Sequence, residues 1–183
     1  KQFAERGWNV IATARKPEKA EKLNALAAKH KSITVEQLDV TDFLRIDALA
    51  VQYKDQPIDI LINNAAMTPK YKTAFYPLEM IDFDIALKSL QVNALGPLKM
   101  CRAFMNNVAA SDQKKILVIS SKGGSISASP KMPIFYSYRA SKAALNMYMY
   151  TLSFETPPQE NHSDPPVSGH GQHHRGQEVA QCY

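Results

Sequence analysis

Tyr138 and Lys142 stand four residues apart in the run Tyr136-Ser137-Tyr138-Arg139-Ala140-Ser141-Lys142. On a helix, that spacing puts both side chains on one face. A cation beside a phenol favours the phenolate and lowers its pKa, making a weak acid a usable proton donor and acceptor near neutral pH. Alone, such a pair equally fits a solvated helix face, so its weight depends on its company. Ser121 follows the apolar run Ile116-Leu117-Val118-Ile119 and is placed to hydrogen-bond a substrate carbonyl. Small or polar residues also close three other apolar runs: Ala14-Arg15, Asp39-Val40 and Asn63-Asn64-Ala65-Ala66.

The elements that must position these residues follow from periodicity. Lys1 to Gly7 reads as the end of a helix with Gly7 behind it, and Trp8 to Ala14 as a short buried strand. Pro17 opens a helix over Glu18 to His30; Ile33, Val35 and Leu38 mark a second strand; Thr41 or Asp42 caps a helix through Tyr53. Ile60-Leu61-Ile62 and Ile116 to Ile119 are further strands. Between them a long helical region runs from about Met80 to Ala110, and a last helix spans Tyr138 to Phe154. Apolar strands alternating with helices imply a parallel sheet covered on both faces. The expected fold class is α/β, a Rossmann-like, doubly wound parallel sheet. In such sheets ligands sit at the carboxyl ends of the strands, so the four strand ends outline one cleft.

Taken together, the motifs are distinctive. Asp39-Val40, Asn63-Asn64-Ala65-Ala66, Asn93 in Val92-Asn93-Ala94-Leu95-Gly96-Pro97, Ile119-Ser120-Ser121-Lys122-Gly123-Gly124 and Tyr138-Arg139-Ala140-Ser141-Lys142 follow in that order. This set resembles the short-chain dehydrogenase/reductase family over about residues 1–155, most closely its C-factor and Sniffer-type carbonyl reductases. The resemblance implies a catalytic group of Asn93, Ser121, Tyr138 and Lys142. Tyr138 would be the general acid/base, Lys142 would assist it and hold the nicotinamide ribose, and Ser121 would polarise the carbonyl. Asn93 would hold a water behind Lys142. For the cofactor, it implies Asp39 and Val40 beside the adenine and Asn63 with Ala65 along the floor, together with Tyr138 and Lys142. Tyr136 is passed over because Ala140 stands four residues on; Ser121 is preferred to Ser120, and Ser125 is the fallback. Arg15 and Lys16 occupy the turn where an acidic residue would bind a ribose diol, and arginine matches a phosphate bidentately, so NADP is expected over NAD. The alternative for Arg15 is a solvated loop.

The same resemblance marks departures. Asn63-Asn64-Ala65-Ala66 has alanine where glycine is usual, and the family's first strand with its glycine-rich phosphate turn would precede Lys1. The fold is therefore expected to be incomplete, and the 183-residue chain to bind NADP poorly. Past Glu155 the composition shifts to Pro, His, Gln and Gly, so residues 1–155 read as a partial nucleotide-binding domain and 156–183 as a disordered, non-family tail. Read one base later, the tail permits a family-like Gly-Met-Val-Asn-Thr, although the proline expected before that glycine cannot be produced; a frameshift is its expected origin. The cluster His170-Gly171-Gln172-His173-His174 has no element to hold metal ligands, and no metal is expected.

Composition limits the partners. Of 183 residues, 45% are hydrophobic, enough for a substantial core, and the net charge of +5 is scattered. Nucleic-acid binding is not expected. No apolar run is long enough to span a membrane, and two distant cysteines suit a reducing, cytoplasmic setting. The expected activity is hydride transfer between NADPH and an aldehyde, ketone or quinone. The alternatives are a catalytically inactive Rossmann-like fragment with an interaction or regulatory role, and a sugar-nucleotide epimerase sharing Tyr-x-x-x-Lys, which the short chain and Asn63-Asn64-Ala65-Ala66 disfavour. Apolar residues beyond one core stripe, such as Met147, Tyr148 and Tyr150, either form a homodimer contact through Met80–Ala110 and Tyr138–Phe154 or belong to the core.

Overall fold

The computed structural model describes residues 1–69, 75 and 77–155, and the backbone of 181–182. It divides into two compact units, Lys1–Gln56 and Pro57–Tyr183.

In the first unit, helix α1 (Gln2–Glu5) ends at Gly7, whose φ of 82° is the left-handed conformation that glycine adopts without steric cost. Strand β1 (Val10–Ala14) pairs in parallel with β2 (Ile33–Gln37), with Val10 opposite Ile33 and Ala14 opposite Gln37. The connection is a 3-10 turn at Pro17–Lys19 followed by α2 (Glu21–Lys29). The sequence suggested one unbroken helix here; a non-helical Ala20 (φ −91°, ψ 55°) divides it. Helix α3 (Phe43–Gln52) starts at Asp42, whose carboxylate accepts the Arg45 N–H at 2.9 Å. Thr41, the other candidate cap, instead bonds Asp39 Oδ1 through its N–H at 2.9 Å and its hydroxyl at 2.7 Å. Ile33, Leu38, Ile46 and Leu49 are buried in this unit.

In the second unit, β3 (Ile60–Asn63), β4 (Lys115–Ile119) and β5 (Gln181–Cys182) form a parallel ladder in the order β3-β4-β5. The pairing of β5 with Val118 and Ile119 gives two residues of the C-terminal segment a strand position, where the sequence suggested a tail without regular structure. The rest of 156–183, including the histidine cluster, lies outside the described residues. Helix α4 (Phe83–Leu90), capped by Asp82 on the Ile85 N–H at 3.0 Å, runs through a π turn (Gln91–Leu95) into α5 (Gly96–Ala109). Pro97 explains the widened turn. It has no N–H for the Asn93 carbonyl four residues earlier, and its ring crowds that carbonyl. Helix α6 (Tyr136–Leu152) starts two residues before the expected Tyr138. Buried Ala94, Cys101, Val118, Leu145 and Met149 form a core between β4 and the helices, with Tyr148 packed against it. Met147 and Tyr150 face outward at 62% and 61% exposure, so the apolar residues of α6 divide between core and surface.

Every strand pairing is parallel and helices separate the strands, so the fold class is α/β as the sequence implied. Among the described residues, no helix is long and apolar enough to cross a membrane.

Candidate functional site

The second unit gathers Asn93, Ser121, Tyr138 and Lys142 around the carboxyl end of β4 and the first turns of α6. Lys142 is the most unusual of them. It is 2% exposed, and its Nζ donates to the Ile119 carbonyl at 2.7 Å and lies 5.9 Å from the centre of the Tyr138 ring. Among the described residues it has no carboxylate within ion-pairing distance. Burial pushes its pKa below the ordinary lysine value, because removing water penalises the charged form. A core lysine with no counter-ion among the described residues is costly to folding, and that cost marks it as a functional candidate.

Ser121 caps the 3-10 turn Lys122–Gly124; its Oγ accepts the Gly123 N–H at 3.1 Å, and its own O–H remains available to donate. Ser120 differs, since its hydroxyl donates to Asn146 Oδ1. Ser125 Oγ faces Ser127 Oγ at 3.3 Å and accepts the Ala128 N–H at 3.2 Å. Gly124 makes the close approach to α6 possible. A Cβ there would meet the Lys142 carbonyl carbon and the Asn146 Nδ2 at 2.8 Å, and the Lys142 oxygen at 2.9 Å.

Asn93 is fully buried in the π turn, with both amide hydrogens committed. Its Nδ2 donates to the Met67 carbonyl at 3.0 Å and to Ser141 Oγ at 2.9 Å, and its Oδ1 accepts the Met67 N–H at 2.7 Å. Ser141 in turn donates to the Tyr138 carbonyl at 2.7 Å. One network therefore ties the segment after β3, the π turn and the turn of α6 that carries Tyr138. Asn63, 8% exposed, donates to Cys101 Sγ at 3.7 Å, and Ala65 is exposed. Burial pushes the Cys101 thiol up to about 11, partly opposed by the Asn63 contact, so this cysteine remains a neutral core residue.

The other nominated residues lie in the first unit. Arg15 follows β1 with an exposed side chain, and its carbonyl accepts from Gln37 Nε2 at 3.3 Å. Asp39 and Val40 follow β2, with Asp39 in the turn that Thr41 closes. Three supporting residues were not singled out from sequence: Ser141, Asn146 and Arg139. Asn146 receives the Ser120 hydroxyl and donates to the Gly124 carbonyl at 3.3 Å, and Arg139 binds the loop before α6. Only the fourfold spacing of Lys142 and Asn146 along α6 could have hinted at them. Among the described residues, no group of three or more His, Cys, Asp or Glu side chains could hold a metal ion.

In this parallel α/β architecture Ser121 follows the end of β4, and the first turns of α6 carry Tyr138 and Lys142. The sequence pattern of the short chain dehydrogenase family matches residues 1–160, and the chain belongs to that family of oxidoreductases. It is similar to C-signal of Myxococcus xanthus, at 30% identity over 112 residues, covering 61% of this chain and 64% of the relative. It also resembles the solved carbonyl reductase Sniffer of D. melanogaster, with a TM-score of 0.71 and 28% identity, covering 79% of this chain and 62% of that one. A carbonyl reductase of Pseudomonas aeruginosa in complex with NADP matches with a TM-score of 0.69 and 26% identity, covering 84% of this chain and 68% of that one. The chain spans 58%, 53% and 64% of the lengths of three curated relatives that it matches.

Proposed function

We propose that this protein transfers a hydride between NADPH and a carbonyl substrate, an aldehyde, ketone or quinone, with Tyr138 as general acid/base. The observation that carries the reading is Lys142, a buried ammonium held on the Ile119 carbonyl beside the Tyr138 ring. Of its three N–H donors, the Ile119 carbonyl engages one, which leaves donors suited to a pair of ribose hydroxyls. This donor set fits the ribose of a nicotinamide nucleotide. NADPH, when bound, supplies the hydride. Tyr138 gives its proton to the carbonyl oxygen, and the Lys142 charge offsets the negative charge that the phenol oxygen acquires. Ser121 donates its free O–H to the same carbonyl and orients it. Asn93 holds the turn of α6 behind Tyr138 through Ser141.

Arg15 supports NADP over NAD, because its exposed guanidinium is a bidentate partner for a 2′-phosphate. Asp39 and Val40 are proposed to border the adenine, and Asn63 and Ala65 to line the cofactor floor. A cytoplasmic setting is proposed from the two cysteines, Cys101 and Cys182, far apart in the sequence. A homodimer through α4–α5 and α6 is supported by the exposed Phe83, Leu87, Met147 and Tyr150, and sedimentation with Tyr150→Glu tests it.

The central test follows NADPH oxidation by the protein at its full natural length with a panel of aldehydes, ketones and quinones. Tyr138→Phe should reduce turnover by a factor of about 100 or more. Equal rates in the two proteins would defeat the catalytic assignment.

A further inference from the structure

The loop between Ser121 and α6 enters the helix through a strained residue. Phe135 has a φ of 52° and a ψ of 39°, a left-handed conformation that bulky side chains rarely adopt, three residues before Tyr138. Such a conformation persists only where the surroundings over-determine it. One side chain ties down the segment that leads into it. Arg139 Nη1 donates to the Met132 carbonyl at 2.9 Å and the Ile134 carbonyl at 3.4 Å, and Nη2 donates to the Pro130 carbonyl at 3.3 Å. Its backbone N–H also donates to the Phe135 carbonyl at 2.8 Å. The Arg139 stem passes over the Ser121 turn, with Cγ 3.4 Å from where a Gly123 Cβ would stand.

The first half of the loop has its own supports. The Ser129 N–H bonds the Ser125 carbonyl at 3.0 Å, and Ser129 Oγ donates to the Gly123 carbonyl at 3.1 Å. The second half has only two tight backbone contacts of its own among the described residues, Met132 N–H to the Pro130 carbonyl and Ile134 N–H to the Met132 carbonyl. Arg139 therefore provides the charged anchor for that half, adjacent in sequence to Tyr138.

We infer that Arg139 is a specificity-determining positioning residue: by holding the carbonyls of Pro130, Met132 and Ile134 it sets the shape of the loop beside Tyr138, and with it the size of carbonyl substrate admitted. This inference rests on the hydride-transfer reading. A lysine cannot replace the fork, because a single ammonium lacks the planar arrangement that reaches three acceptors.

The test has two arms. In the first, limited trypsin digestion of the wild-type protein, Arg139→Ala and Arg139→Lys monitors cleavage after Lys131, which is exposed in the anchored half. Cleavage should accelerate at least about fivefold in Arg139→Ala, with Arg139→Lys in between. In the second, kcat/KM is compared for a small aldehyde and a bulky quinone, alongside the dissociation constant of NADPH. The ratio of the two substrates should shift at least about fivefold while NADPH binding is unchanged. Should Arg139→Ala not fold, Arg139→Lys alone carries both readouts. An unchanged substrate ratio, or equal losses for both substrates, overturns the inference. A Tyr138→Phe control that retains full activity overturns the hydride-transfer reading instead, and the digestion arm then still decides whether Arg139 anchors the loop.

Discussion

Replacing Asn93 with aspartate changes one NH2 to oxygen with almost no change of shape, and the hydrogen-bond directions around it predict the outcome. Oδ1 would keep its bond from the Met67 N–H. The new oxygen would face the Met67 carbonyl and Ser141 Oγ, at the positions where Nδ2 now donates. Ser141 cannot reverse its role without loss, because its single hydrogen is committed to the Tyr138 carbonyl. At a fully buried position, with acceptors around it, the new carboxyl should hold its proton well above the ordinary range. Protonated, it restores one of the two lost donors, so the cost is about one hydrogen bond, roughly 1 kcal/mol. Ionised, it loses both, and a rise of about two to three pKa units adds roughly 3–4 kcal/mol.

The sign follows from proton linkage. A carboxyl whose pKa is raised by folding retains its stability below the unfolded value of about 3.9 and loses it as pH rises through the folded value. The deficit of Asn93→Asp relative to wild type should therefore grow from about 1 kcal/mol near pH 4 to roughly 4–5 kcal/mol near pH 8. Urea unfolding across this range measures it, followed by circular dichroism because the single tryptophan, Trp8, lies in the other unit. Equal stability of the two proteins near pH 8, or a deficit that widens on acidification, would refute the reasoning.

Four further outcomes follow. Gly124→Ala should destabilise by about 1–3 kcal/mol, because its Cβ meets α6 backbone at 2.8–2.9 Å, whereas Gly123→Ala, with nothing nearer than 3.4 Å, should lie within about 1 kcal/mol of wild type in the same denaturation assay. Lys142 contributes an alkaline gain: its folded pKa is depressed, so stability rises with pH between that value and 10.5, and Lys142→Met should remove that rise from the difference between the two unfolding curves. In a Cys182→Ala background, Cys101 should react with a thiol reagent at least about 100 times more slowly than free cysteine near pH 8, and rapid labelling of the native protein would contradict its burial. Removing the cap in Asp82→Ala should cost about 1 kcal/mol, read as a lower unfolding midpoint.

Much of the architecture was legible because it is written in local pattern. Strands β1 to β4 are short apolar runs, and the helices show apolar residues at three- and four-residue spacing, signals that neighbours along the chain create together. Gly7, Pro17 and Pro97 likewise act through their own backbone chemistry. The ends were less legible. Thr41 and Asp42 are equally good caps by residue type, and the choice depended on Asp39 already holding Thr41. The break at Ala20 and the division of Met80–Ala110 into a turn, α4, the π turn and α5 leave only weak local traces.

By itself the sequence determined which candidate groups the chain carries and their local spacing: a tyrosine and lysine one helical turn apart, a serine after a buried strand, and an arginine after the first apolar run. These are properties of residue type and short-range spacing, and spacing along a helix converts directly into geometry. Only the tertiary structure decided how those groups are held. Asn93 meets Met67 and Ser141 across 26 and 48 residues of chain, and Lys142 reaches Ile119 across 23. The lysine loses its water only through tertiary burial, with its Nζ drawn onto the Ile119 carbonyl, and Gly124 must be a glycine only because α6 comes within contact there. Burial and close approach depend on which distant segments meet, and a single position in a sequence carries no record of that.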